Sequence, residues 1–174
     1  MRPPLREIDR PLAAVVLALA AYGLATLYSA GQTDVPSPSP SPAQLAPGDV
    51  IPPFDAEGID GVMHHVSFGK QPTILLFFLS SCPHCQKQIP DWNRAFERRP
   101  PGVNVLGVML DHEPPGFFVA LPVSFPVVRA PREFSRTLKI ARVPLTVRVG
   151  PGGKVEDVGS GPTDPIRLGE LFRK

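Results

Sequence analysis

The chain has 174 residues, 43% of them hydrophobic, and a formal net charge of +2 at pH 7. This length allows one domain with its own core plus an extension, and the nearly neutral charge argues against a nucleic-acid-binding protein. The 24 prolines exceed the usual fraction of about 5%, and the two cysteines are too few for a domain held together by several disulfides.

The N-terminal segment is apolar from residue 11 to residue 30 and carries no charge there. At about 1.5 Å per residue, such a helix just crosses a hydrocarbon core of roughly 30 Å. Arginines precede it, and the next basic residue after it is Lys70. Because basic residues stay in the cytoplasm, residues 1–30 are predicted to form a cytoplasmic stub and a single-pass anchor in the cytoplasmic membrane. The remainder is then periplasmic or otherwise extracytoplasmic.

A cleaved signal peptide is the alternative interpretation of this segment. Cleavage after Gly31 would place Ser29 at the position that needs a small residue. The apolar run is longer than a usual signal core of roughly 7–15 residues, which favours the uncleaved anchor. Both interpretations export the rest of the chain.

Residues 31–47 are predicted to be a linker between the membrane and a globular domain. Proline alternates with serine over residues 36–42. Alternating proline disfavours helix and strand pairing and favours an extended polyproline II spacer, at about 3.1 Å per residue.

Residues 48–174 are predicted to form one α/β domain. Two continuous apolar runs are typical of strands buried on both faces, and a glycine-rich turn indicates a hairpin. The order of elements predicts a central mixed sheet with helices on both faces. The predicted strands are 73–79, 103–110, 145–149 and 154–158, and the predicted helices are 83–98, 132–140 and 166–174.

The cysteine pair, Cys82 and Cys85, directly follows the first buried strand and opens the first helix. Pro83 suits the first helical turn, where its missing N–H has no cost. Cys82 is therefore predicted at the N-cap, facing unpaired N–H groups and the positive end of the helix dipole, which favours its thiolate. The pair closes too short a loop to stabilise the fold much, so chemistry or metal binding is the better explanation of it.

This asymmetry predicts a mechanism of thiol–disulfide exchange. Cys82 is the nucleophile that forms a mixed disulfide with a partner, and Cys85 resolves it by intramolecular attack. His84, between them, would stabilise the Cys82 thiolate if protonated; the alternative is an exposed polar residue. Pro90 lies inside the predicted helix, where it is expected to kink the axis.

Residues from about 48 onward resemble the thioredoxin superfamily, and in particular the TlpA/ResA-like membrane-anchored thiol–disulfide oxidoreductases. The matching features are Gly48-Asp49, Pro53-Phe54, the run LLFFLSSCPHC over residues 75–85, Pro90 and Val143-Pro144.

The resemblance implies a thioredoxin-like fold and exchange on protein thiols and disulfides. The redox-active disulfide Cys82–Cys85 would be the only redox group, with no organic cofactor and no metal, and a membrane redox protein would be the partner. It further implies that Pro144 is a cis-proline facing the disulfide and that the Val143 backbone pairs with substrate. Cytochrome c maturation and disulfide reduction are the roles it suggests.

Three positions depart from the family pattern. Ser81 stands where many relatives have tryptophan, Gln88 where they often have glutamate, and Leu76 where thioredoxin has a buried aspartate. Neither familiar carboxylate is therefore present to deprotonate the resolving thiol. The Pro-His dipeptide instead resembles strongly oxidising DsbA-type proteins, so reductant and oxidant both stay open.

Other residues are given plainer interpretations. Trp92 and residues 117–126 are predicted to pack in the core, and the histidines His64, His65 and His112 are predicted to be solvated loop residues because their spacing fits no zinc pattern. The loop 111–116 is placed near the carboxyl edge of the sheet, with no role assigned.

Two other functions use the same cysteines. A copper-handling module would bind metal through Cys82 and Cys85 as soft ligands. A thiol peroxidase would use a single peroxidatic cysteine in a polar network, to which Ser80 and Ser81 contribute a little.

Overall fold

The computed structural model of the protein describes residues 44–130 and 132–173. The predicted anchor and residues 31–43 of the predicted linker lie outside the described residues. Among the residues described, none of the helices combines the length and the apolar character needed to cross a bilayer.

Over residues 44–130 and 132–173, seven strands form one mixed sheet in the order β2-β1-β5-β4-β3-β6-β7. The strands are β1 Phe54–Gly58, β2 Met63–Val66, β3 Thr73–Phe78, β4 Asn104–Met109, β5 Val127–Arg129, β6 Leu145–Val149 and β7 Val155–Ser160. The helices are α1 Pro83–Glu97, α2 Phe117–Ala120, α3 Arg132–Thr137 and α4 Pro165–Arg173, with a short 3₁₀ turn at Pro151–Gly153.

Strand β3 is the centre of the fold. It pairs in parallel with β4 and antiparallel with β6, and all six of its residues are buried. Because successive side chains of a strand point to opposite faces, Leu75 and Phe77 join one core while Ile74, Leu76 and Phe78 join the other. A strand covered on both faces must be apolar throughout, which is the pattern of this segment.

Helices cover both faces of the sheet, as predicted. Ile89 and Trp92 of α1 pack with Leu168 and Leu171 of α4 on one face. Phe134 of α3 packs on the other. Trp92 is fully buried, and its Nε1–H donates to Thr146 Oγ1 at 3.0 Å, which confirms its predicted packing role.

Several short elements are not among the predicted ones. The hairpin β1–β2 precedes β3, and β5 occupies three residues between β1 and β4. The prediction that His64 and His65 lie in a loop is wrong, since both are in the exposed edge strand β2. They lie beside Asp60 and Asp55, respectively.

The prediction that residues 117–126 form core helix and strand is correct only in part. The segment contains the one-turn helix α2, and the strand begins later, at Val127. Phe117 and Phe125 are buried, whereas Val119 is 88% exposed.

Gly107 in β4 provides a test of how tightly the core around β3 is packed. A Cβ at this position would lie 2.8 Å from Phe125 Cε2 and 3.0 Å from Val127 Cγ2. We expect Gly107→Ala to lower the free energy of unfolding by about 1–3 kcal/mol, because both neighbours are held in the core. Gly69→Ala is the matched control, since its Cβ would meet nothing within 4 Å. Chemical denaturation measures both, and equal effects would contradict the packing described here.

Candidate active site

Three chain segments meet at the end of the sheet where strands β3 and β4 finish and β6 begins. Strands β3 and β4 are parallel, so both end at this edge; Cys82 follows β3 by four residues and Asp111 follows β4 by two. Strand β6 is antiparallel to β3, so its start, just after Pro144, lies at the same edge. The topology therefore brings together residues that are far apart in the sequence.

Cys82 is the N-cap of α1, as predicted. Its backbone is extended, with φ −87° and ψ 114°, and Pro83 occupies the first turn. The Cys85 N–H donates to Cys82 Sγ at 3.3 Å. Cys82 is partly exposed and both cysteines are free thiols. A partly exposed sulfur that accepts a helix-start N–H is well placed to act as a nucleophile.

Cys85 lies in a different environment, one turn inside α1. It is fully buried in the core cluster that covers one face of β3. Burial, followed by its hydrogen bond with Cys82 and the nearby charges of Cys82 and Asp111, raises the pKa of the Cys85 thiol to about 12. The dithiol form therefore keeps the proton on Cys85, which suits a thiol that acts only after the first disulfide has formed.

Asp111 anchors the two residues immediately before Cys82. Its carboxylate accepts from the Ser80 N–H at 2.8 Å and the Ser80 hydroxyl at 2.9 Å. It also accepts from the N–H and the hydroxyl of Ser81, both at 3.3 Å. The carboxylate thus lies against the segment that leads into the helix start, and the loop 111–116 is where the sequence placed it, at the carboxyl ends of the strands.

Gln88, predicted to support the site, ties α1 to the chain segment before α4. Its side-chain amide donates to the Thr163 carbonyl at 3.0 Å, and its carbonyl accepts from the Thr163 N–H at 2.7 Å. Both groups of this buried amide are therefore satisfied by the chain segment before α4. Its neighbour Gln86 donates to the Ser80 carbonyl at 2.7 Å and ties α1 to the preceding loop.

The Val143–Pro144 peptide bond is cis, as the resemblance implied. Pro144 is buried, and Val143 is partly buried against the cluster that contains Cys85. Within the described part of the chain, no hydrogen bond engages the N–H or C=O of Val143. An unpaired backbone at the same end of the sheet as a reactive sulfur can pair with an extended peptide.

The remaining predicted residues have simpler surroundings. His84 is exposed on the first turn of α1, and Pro90 is exposed inside the same helix. Over residues 44–130 and 132–173, the His, Cys, Asp and Glu side chains form no group of three or more that could hold a metal ion.

Asp111 is the site residue that was not assigned a role from the sequence. The signal was present, because parallel neighbouring strands end at the same edge and the aspartate follows the second predicted strand just as the cysteine motif follows the first. Its partners could not be inferred, since they depend on how the loop before α1 is folded.

Searches with family models give no match, and no curated protein sequence matches either. Solved structures do match. StoA from Bacillus subtilis aligns with a TM-score of 0.61 at 24% identity, covering 71% of this chain and 98% of that one.

Two further structures support the same fold. A thiol:disulfide interchange protein of the thioredoxin family from Chlorobium tepidum has a TM-score of 0.59 at 22% identity, covering 75% of this chain and 97% of that one. The protein dsbF of MTB, solved in mixed oxidised and reduced forms, has a TM-score of 0.59 at 26% identity. The alignment covers 68% of this chain and 92% of that one. The predicted resemblance to thioredoxin-like thiol–disulfide oxidoreductases is confirmed. The chain has their fold, and the structures that match it include a thiol:disulfide interchange protein.

Proposed function

We propose that this thioredoxin-fold protein is a thiol–disulfide oxidoreductase that acts on protein cysteines through Cys82 and Cys85. The observation that carries the proposal is the difference between the two thiols. One is partly exposed at a helix N-cap, and the other is buried with its pKa raised to about 12. Such a pair divides naturally into an attacking and a resolving cysteine.

The reaction with a substrate disulfide has two steps. The Cys82 thiolate attacks one substrate sulfur, the substrate S–S bond breaks, and the other substrate sulfur leaves as a thiolate. Cys85 then gives its proton to the released substrate thiolate or to water and attacks the Cys82 sulfur, which breaks the mixed disulfide and releases the second substrate thiolate. The substrate is reduced by two electrons and the Cys82–Cys85 disulfide forms; oxidation of a substrate dithiol is the same sequence in reverse.

Substrate binding is proposed for the segment before β6. The N–H and C=O of Val143 are available for pairing with an extended peptide. They lie at the end of the sheet where Cys82 follows strand β3. Pro144 follows directly and fixes the start of β6. This main-chain recognition would place a cysteine of the peptide against Cys82 with little dependence on its other side chains.

The site of action is proposed to be extracytoplasmic, with the chain held in the cytoplasmic membrane by residues 1–30 and spaced from it by residues 31–47. The support is the uncharged run over residues 11–30 and the basic residues before it. A membrane redox protein would then exchange electrons with the pair, in cytochrome c maturation or in general disulfide reduction.

A redox titration of the full chain in detergent tests the proposed activity. The protein is equilibrated with mixtures of reduced and oxidised glutathione at pH 7, and free thiols are counted by mass after alkylation. We expect a two-electron transition between the dithiol and the Cys82–Cys85 disulfide, with a potential between those of strong oxidants, about −120 mV, and of reductants, about −270 mV.

The titration, together with assays of hydrogen peroxide reduction and of Cu(I) binding, separates the proposal from its alternatives. A pair that never forms the intramolecular disulfide under these conditions would contradict the exchange mechanism. Rapid reaction with hydrogen peroxide but none with glutathione disulfide would indicate a peroxidase, and tight Cu(I) binding without exchange would indicate a metal-handling module.

A further inference from the structure

The charge of Asp111 lies close to the redox pair but has no part in the steps described so far. We propose that Asp111 is a positioning residue that lowers the reduction potential of the Cys82–Cys85 pair and so favours its use as an electron donor. This inference rests on the proposed exchange activity and deepens it, since it gives the direction in which one residue shifts the equilibrium.

The geometry places the carboxylate in front of helix α1. Ser80 and Ser81 are the two residues before the N-cap, and their N–H and hydroxyl groups all donate to Asp111. The positive end of a helix dipole attracts anions at this position. The Asp111 carboxylate and a thiolate on Cys82 are therefore both stabilised by the positive end of the α1 dipole.

A negative charge at this place acts on only one of the two redox forms. The exchange with glutathione is written: disulfide plus two reduced glutathione molecules gives the dithiol plus glutathione disulfide. In the disulfide neither sulfur is charged, whereas the dithiol form can release a proton and carry a thiolate. A like charge nearby disfavours that thiolate, so Asp111 destabilises the reduced form and lowers the potential.

The pair itself shows the influence of this carboxylate. The charge of Asp111 is close enough to the pair to contribute, after burial and Cys82, to the raised pKa of Cys85. Because Cys85 is protonated at pH 7 in any case, the effect on the potential at pH 7 acts through the Cys82 sulfur at the helix start. Asp111 is half-buried and borders a cavity of about 330 Å³ lined by Leu110, His112, Arg129 and Ala130. Its Ser80 partner is only 3% exposed, so this charge is less screened by solvent than one on the open surface.

The position also bears on the missing family carboxylates. Gln88 and Leu76 are neutral, so helix α1 and strand β3 bring no carboxylate to the pair at those two positions. Asp111 brings one from the end of β4 instead. It opposes the oxidising tendency that the Pro-His dipeptide would give to the same motif.

The test is the glutathione equilibrium of the full chain at pH 7, compared between the wild type and Asp111→Asn. Asparagine keeps a carbonyl oxygen for the Ser80 N–H and an amide that can donate to the serine hydroxyls. It removes the charge and, with it, the acceptor of the 3.3 Å bond from the Ser81 N–H. We expect the equilibrium constant for reduction to rise about tenfold, which corresponds to a potential about 30 mV higher.

Two control variants separate charge from loop structure. Asp91→Asn removes a carboxylate from helix α1, where it pairs with Arg94, and we expect less than a twofold change. Ser80→Ala removes one hydrogen bond to Asp111 but leaves its charge, and it should likewise stay within about twofold of the wild type while lowering the thermal midpoint.

Each outcome decides the inference. If the wild type exchanges normally and Asp111→Asn stays within twofold of it, this inference is overturned while the proposed function stands. If Ser80→Ala shifts the equilibrium as much as Asp111→Asn, the effect belongs to loop geometry and the inference is also overturned. Should Asp111→Asn fail to fold, Asp111→Ser provides a second neutral side chain. A wild-type pair that does not exchange at all removes the proposed function and this inference together.

Discussion

Replacing Cys82 by serine is expected to abolish thiol–disulfide exchange, whereas replacing Cys85 by serine should stop the reaction one step later. A serine hydroxyl is not ionised at neutral pH and does not attack a disulfide, so without Cys82 the first bond does not form. Cys85 cannot replace it, because it is fully buried and its pKa is raised to about 12. Without Cys85, the mixed disulfide on Cys82 forms and persists.

The measurement is the mass of each variant after incubation with glutathione disulfide. We expect Cys85→Ser to gain one glutathionyl group on Cys82, which a reductant removes, and Cys82→Ser to remain unmodified over the same time. The double variant is the control for non-covalent binding. Equal modification of the two single variants would contradict the assignment of roles, and so would failure of Cys85→Ser to accumulate any covalent complex.

Much of the fold could be predicted because its central elements carry strong local patterns. β3 is buried on both faces, so its sequence is apolar after Thr73, and β4 beside it is nearly so. Pro83 and the motif around it mark the start of α1 unambiguously. The glycine-rich turn at Pro151–Gly153 indicates the hairpin β6–β7, although β7 runs two residues further than predicted, to Ser160.

The elements that could not be predicted depend on their neighbours for stability. β2 is an edge strand whose first three residues are exposed, so no hydrophobic alternation indicates it. β5 has three residues and exists because it pairs with both β1 and β4. The hydrogen bonds of β5 come from strands distant in the sequence, and those of β2 come from its hairpin partner β1. In both cases the local pattern contains no sign of the pairing.

The same distinction applies to the active site. Cys82, Cys85 and Pro83 lie together in the sequence and were identified there. The cis bond at Val143–Pro144 was implied only by resemblance, and the structure has it. Asp111 lies 31 positions from Ser80, and its role follows from the parallel pairing of β3 and β4.

In the reduced protein, Cys82 is expected to react with iodoacetamide before Cys85. Cys82 is partly exposed at the N-cap, while Cys85 is buried in the core cluster. With a pKa of about 12, only about one part in ten thousand of Cys85 is ionised at pH 8, and the thiolate is the form that alkylates. We therefore expect a large preference for Cys82 from neutral pH up to at least pH 8.

Peptide mapping of the reduced full chain, alkylated for increasing times at pH 7 and pH 8, tests this difference directly. The outcome we predict is a single label on Cys82 before any label reaches Cys85, with Cys85 reacting only on denaturation. Labelling of Cys85 first, or of both cysteines at the same rate in the folded protein, would show that the helix start does not create one nucleophile and one protected thiol.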